Sequence, residues 1–154
     1  MSRIGPVFRK PSLLERTLNK AFGALVGLGL GLRHNYLLQV RGRKTGRVYS
    51  TPIDLLELEG RRFLVAPRGR TQWVRNAEAA GEVTLKRGIK RQRFRIRTIS
   101  NEERPEILKA YLDRFKLTVQ RYFPVRADSG SPAFTEVAEQ YPVFELLAPD
   151  GAQN

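Results

Sequence analysis

From Tyr36 onward the chain alternates apolar and polar residues in short runs separated by glycine turns, and this pattern restricts the fold more than any other feature. The strictest run is KRQRFRIRTIS, Lys90 to Ser100, which sets Arg91, Arg93, Arg95 and Arg97 on one side and Gln92, Phe94, Ile96 and Thr98 on the other. A period of two marks a strand with one buried face. Further runs surround it. YLLQVRG and RVYSTPIDLLELEG flank the turn GRKTG as a hairpin, and Glu59-Gly60 turns the chain into RRFLVAP, so three successive antiparallel strands are expected. VTLKR precedes the arginine strand, and PVFELL closes the set.

Helices are expected between the strands. TQWVRNAEAAGE has Thr71 as N-cap and Gly81 as stop. Ser100 or Asn101 caps a second helix, with Pro105 near its start and Ile107, Leu108, Tyr111, Leu112 and Phe115 on its apolar side. SPAFTEVAEQY is a third, after the loop RADSGSP, and the terminal PDGAQN is expected to fray. Near the start, Ser12 precedes Leu14, Leu18, Phe22 and Val26 at helical spacing, and Gly23, Gly27 and Gly31 form a smooth face. Strands at hairpin spacing with a few helices outside specify the α+β class, as an antiparallel barrel or half-barrel. Residues 1–154 make one domain, an N-terminal helical segment over 1–32 and a barrel core over 36–148.

Composition narrows the chemistry. The chain has 28 Lys and Arg against 15 acids, an excess of 13 spread along its length, so its surface attracts anions. It has no cysteine and one histidine, His34. Disulfides, thiolate catalysis and cysteine zinc sites are excluded, and His34 reads as structural or exposed. The uncharged run Ala21 to Leu32 is 12 residues long, where a bilayer-spanning helix needs about 20. Cations precede that run but no small-residue cleavage site follows it, which predicts a cytoplasmic chain, with peripheral membrane contact through the N-terminal helix as the alternative to a cover for the core.

The segment RGRKTGRVYSTP, Arg41 to Pro52, lacks the G-x-x-x-x-G-K-[ST] spacing of a P-loop. The dinucleotide fingerprint is missing as well. Two motifs instead make the region from Leu37 to Leu147 resemble the deazaflavin-dependent nitroreductases and quinone reductases: GRKTG followed by Thr51-Pro52, and Trp73-x-x-Asn76 leading into EVTL. The resemblance implies an antiparallel split β-barrel and coenzyme F420, a deazaflavin with a phosphodiester and an oligoglutamyl tail, with FMN as the less favoured cofactor. It implies hydride transfer to a small organic acceptor such as a nitro compound, quinone or enone.

On that resemblance Arg43, Lys44 and Arg47 meet the anionic tail. Thr51 and Pro52 support the ring, Pro67, Arg68 and Gly69 edge its pyrimidine end, and Trp73 and Asn76 shape the opening of the tail channel. Tyr49 stands where many relatives have an arginine. With no thiol available, Tyr111 and Tyr122 are the candidate proton donors, although Tyr111 also fits the apolar side of its helix. Two other readings compete: a basic barrel that binds nucleic acid, and a flavin- or haem-binding barrel without turnover. The nucleic-acid reading is disfavoured because Phe94 faces away from the arginines, whereas base stacking needs rings beside cations. Oligomeric state is not legible in the sequence.

Overall fold

A computed structural model describes residues 35–149. The helix expected after Ser12, His34 and the terminal residues from Asp150 lie outside the described residues. Seven strands form one antiparallel sheet: β1 (Asn35–Arg41), β2 (Val48–Asp54), β3 (Leu56–Leu58), β4 (Arg61–Val65), β5 (Glu82–Arg87), β6 (Lys90–Thr98) and β7 (Val143–Leu147). Their order is β2-β1-β5-β6-β7-β4-β3. Among the described residues three α-helices accompany them: α1 (Gln72–Ala80), α2 (Arg104–Val119) and α3 (Ser131–Val137). The fold is the expected α+β class, a curled antiparallel half-barrel consistent with a split barrel.

The long run RVYSTPIDLLELEG becomes two strands instead of one. Asp54 ends β2, Leu55 is buried, and the chain restarts as β3 at the opposite end of the sheet, so the three strands expected to pair in succession form two separate hairpins. The run Ile53, Leu55, Leu56 buries residues in both halves of the core, and a single flat strand could not do this. The β3–β4 turn is where the sequence put it. Glu59 and Gly60 both have positive φ, 53° and 77°, as a two-residue I′ hairpin requires.

Alternation along the strands divides the core in two. Leu38, Val40, Leu64, Val83, Leu85, Phe94, Phe144 and Leu146 form one side with Val74 and Ala77 of α1. Phe63, Val65 and Val143 face the other way, against Ile107, Leu108, Tyr111, Leu112 and Phe115 of α2 and Phe134 of α3. The apolar side read for α2 is therefore the buried one. Its start is later than expected: Glu103 occupies the N-cap position, while the Ser100 hydroxyl accepts from the Glu103 amide at 3.3 Å and organises the turn before the helix. Thr71 does sit at the N-cap of α1, but its hydroxyl makes no capping bond. Gly81 stops α1 at φ 72°, in the left-handed conformation of a helix end.

One charged group is nearly buried in the sheet. Glu145 on β7 is 9% exposed and receives Arg61 through Nε at 2.8 Å and Nη2 at 2.9 Å, and Arg97 Nη2 at 2.7 Å. These bonds, Arg61's foremost and then Arg97's, outweigh the opposing effect of burial and hold the carboxyl at about 2. A depressed carboxyl stabilises the fold above its unfolded pKa and loses that contribution as pH falls through the folded one. Glu145→Gln should therefore cost about 1 to 3 kcal/mol at neutral pH, with the gap to the parent closing from about pH 5 towards pH 2. Urea melts across that range check it, and a gap independent of pH would contradict it.

Candidate active site

The GRKTG segment is a tight, internally fastened turn between β1 and β2. The Gly42 amide donates to the Arg47 carbonyl at 2.6 Å and the Gly46 amide to the Gly42 carbonyl at 3.0 Å. Arg41 Nη1 adds a bond to the Gly46 carbonyl at 2.8 Å. Gly46 has φ 72°, and a Cβ on Gly42 would stand 2.5 Å from the Tyr49 ring, so each glycine answers a specific need. Tyr49 shares a hydrogen bond with Thr45 at 3.1 Å and braces the turn. The side chains of Lys44 and Arg47 are exposed, with no hydrogen-bond or ion-pair partner among the described residues.

Arg43 differs from the other two cations. Its backbone amide donates to Asn76 Oδ1 at 3.1 Å, and its Nη1 donates to the same oxygen at 2.7 Å and to Gln72 Oε1 at 3.0 Å. Asn76 is 5% exposed, so its carbonyl oxygen is an interior acceptor satisfied by the turn. The two motifs singled out in the sequence, 33 residues apart, thus meet in one polar clamp. Beside it lies an open depression lined by Arg43, Arg70, Arg75, Glu78 and Ala79. Arg70 pairs with Glu78 at 2.9 Å.

The Pro67-Arg68-Gly69 turn joins β4 to α1. Gly69 has φ 80° and its amide donates to the Ala66 carbonyl at 3.1 Å, so the turn keeps a fixed shape. Arg68 lies over the ring of Tyr122, 5.9 Å from its centroid. This contact brings the turn and one of the two tyrosines together. The Tyr122 hydroxyl accepts from Arg121 Nη2 at 2.7 Å.

Tyr111 is placed differently. It is 2% exposed, packed edge-on to Phe115 at 5.2 Å and tilted against Phe123 at 6.3 Å, within the core under α2. Burial foremost, with Asp54 and Tyr122 adding, pushes its hydroxyl well above the ordinary tyrosine range. Its neighbours make it a packing residue.

Thr51 and Pro52 do not share a face. Thr51 pairs with Leu38 and faces that residue's half of the core, whereas Pro52 pairs with Leu37 on the opposite face of the edge strand β2, and both are half-buried. Trp73 is half-buried with its ring edge-on to Phe144 at 6.0 Å, a flank of the core as much as part of an opening. Arg70, Gln72, Arg75 and Glu78 were not singled out by the sequence. Gln72 and Asn76 do stand four apart, which puts them on one helix face, but nothing local to α1 announces Arg43 as their partner.

The arginine strand is less free than its spacing suggests. Arg97 is committed to Glu145, Arg95 Nε donates to the Ala148 carbonyl at 3.2 Å, and Arg93 stands 4.0 Å from Glu82. Among the described residues no group of His, Cys, Asp and Glu could hold a metal ion, and no helix is long and apolar enough to cross a membrane.

No curated protein matches the chain. Solved structures share its fold at low identity. One described as a domain-swapped dimer has 22% identity and a TM-score of 0.55 over 86% of this chain and 92% of its own. An F420-H2 dependent reductase, FDR-A, has 21% identity and a TM-score of 0.50 over 74% of this chain and 94% of its own. HutZ, the haem storage protein of Vibrio cholerae, has 14% identity and a TM-score of 0.51 over 90% of this chain and 92% of its own. These likenesses establish the split-barrel architecture. The family follows from the sequence itself, because the profile of the F420H(2)-dependent quinone reductases matches residues 14–126, a span that contains the GRKTG turn, the clamp on Asn76 and Tyr122. The chain belongs to the F420H(2)-dependent quinone reductase family.

Proposed function

We propose that the protein is a deazaflavin-dependent oxidoreductase that reduces a small organic acceptor of the quinone, nitro or enone type. The observation that carries this reading is the Arg43–Asn76 clamp, which fixes the cationic turn against the start of α1 and leaves Lys44 and Arg47 exposed. The donor set fits the cofactor. A phosphodiester and a chain of carboxylates need several cations, and Lys44 and Arg47 on the turn and Arg75 on α1 supply them, with Arg70 beside them held by Glu78. Arg43 is the positioning residue of this set, since its Nη1 is already used inside the protein.

When bound, the reduced deazaflavin supplies a hydride. The protein's part is then to hold, orient and keep dry. Pro67, Arg68 and Gly69 edge the ring with a turn of fixed shape, and Thr51, on the Leu38 face of β2, supports it. Pro52 acts from the opposite face by stiffening the edge strand. Trp73, anchored on Phe144, sets the position of α1 and with it Asn76 and the channel opening. Tyr122, beside Arg68 and held by Arg121, is the hydroxyl that can relay a proton to the acceptor, and Tyr111 shapes the wall behind it.

The haem-binding reading has less support in this chain. The chain has no cysteine, one histidine, His34, and one methionine, Met1, so few of its residues could serve as an axial haem ligand.

Affinity and turnover separate the two ends of the site. Lys44→Ala and Arg47→Ala should each weaken coenzyme binding by about 1 to 3 kcal/mol, less at high salt, and leave fold stability unchanged. Tyr122→Phe should lower turnover several-fold at unchanged affinity, while Tyr111→Phe should turn over like the parent. Full affinity in both cation variants would remove the tail site from the turn. Parental turnover in Tyr122→Phe would assign the proton to solvent.

A further inference from the structure

The β5–β6 hairpin ends in a two-residue turn, Gly88-Ile89, closed by the pair Arg87 and Lys90. Gly88 has φ 62°, as the first central position of a II′ turn requires. The second position is normally filled by a small polar residue, because it projects into solvent and packs on nothing. Here it is isoleucine, and it is 100% exposed. A single exposed apolar residue is ordinary on a protein surface. This one stands inside a ring of cations.

Lys86 and Arg91 are cross-strand partners on one face of the hairpin, and Arg87 and Lys90 are partners on the other. Arg87 lies over the Tyr36 ring at 5.6 Å, which orients that side of the hairpin. No acidic residue occurs from Val83 to Thr98. The tip therefore presents an apolar point with positive charge on both faces behind it. We infer that the β5–β6 hairpin docks on an anionic lipid bilayer, Ile89 entering the headgroup and acyl boundary while Lys86, Arg87, Lys90 and Arg91 meet the lipid phosphates.

Charge complementarity selects this partner. A nucleic acid would use the same cations but gains nothing from a bare isoleucine, and among the described residues no exposed ring stands beside them for a base to stack on. Position also matters. Lys86 pairs with Leu37, so the tip lies level with the Asn35–Asp54 end of the β1–β2 ladder; the GRKTG turn closes the other end, and a docked bilayer leaves the cationic turn open. The docking surface is thus independent of the cofactor assignment, and each can fail without the other.

The test is co-sedimentation of the full chain with vesicles of phosphatidylcholine alone and of phosphatidylcholine with phosphatidylglycerol at about two parts to one, near 0.1 M salt. Binding is expected to the anionic vesicles only. Ile89→Asp should weaken it about ten-fold or more, since it removes the apolar point and adds a repelling charge. Lys90→Ala and Arg91→Ala should each weaken it about five-fold. These side chains are exposed, so folding should not change, and far-UV circular dichroism with an unaltered melting temperature confirms that. Duplex DNA is the comparison ligand. Three results would overturn the inference: no binding to anionic vesicles, binding unaffected by Ile89→Asp, or tight DNA binding lost with the cations and indifferent to Ile89.

Discussion

Phe144→Ala is expected to destabilise the protein by about 3 to 5 kcal/mol, the range for deleting a fully buried ring from a close-packed core. Phe144 is 1% exposed on β7, paired with Thr98 on one side and Leu64 on the other. Its neighbours belong to rigid strands and cannot collapse fully into the space left behind. Trp73 loses its edge-on partner as well, so the loss reaches α1. For a domain with about 5 to 15 kcal/mol of total stability, this is a large fraction. Phe144→Leu, which keeps most of the volume, should cost far less. Urea melts of the two variants check the expectation, and equal losses would mean that the ring's shape and its contact with Trp73 matter more than the cavity.

The second large effect is expected at the clamp. Asn76→Ala removes the one acceptor that serves both the Arg43 amide and its guanidinium, leaving a partly buried amide without its partner at a cost of about 1 kcal/mol or more in stability. The turn is then free to move away from α1, and coenzyme affinity should fall about ten-fold or more although Asn76 itself carries no charge. Arg43→Ala should lose a similar amount of affinity. Because both act through one contact, the double variant should be little worse than either single one. Additive losses would show that Arg43 meets the cofactor directly and that the clamp is incidental to binding.

The sequence was most legible where one local rule governs. Alternation in β6, the glycines at 42, 46, 60 and 81, and the apolar side of α2 each depend on neighbours a few residues away, and each appears where the pattern put it. Sheet order depends on residues far apart. Nothing within RVYSTPIDLLELEG says that Asp54 and Leu56 belong to opposite ends of a seven-stranded sheet; that break is imposed by the two halves of the core.

The site divides in the same way. Arg43 was readable as a cation on a tight turn but not as the partner of Asn76, because the pairing is tertiary. Thr51 and Pro52 are adjacent in sequence, and the pleat itself separates them. Arg97 resembled its neighbours on β6 until Glu145, 48 residues later, took it out of the solvated stripe. Tyr111 already fitted the apolar side of its helix, whereas nothing local to Tyr122 named its partners. Burial in the aromatic cluster under α2 distinguishes the first, and contact with Arg68 and Arg121 the second.

The most direct measurement of the central claim is calorimetric titration of the purified protein with the deazaflavin coenzyme F420, FMN and NADPH under one buffer, repeated at two salt concentrations. The account predicts that the deazaflavin binds most tightly and that its affinity falls as salt rises, because the exposed cations of the GRKTG turn and α1 match a long anionic tail that FMN lacks. FMN binding more tightly than the deazaflavin, or deazaflavin affinity that does not respond to salt, would contradict it.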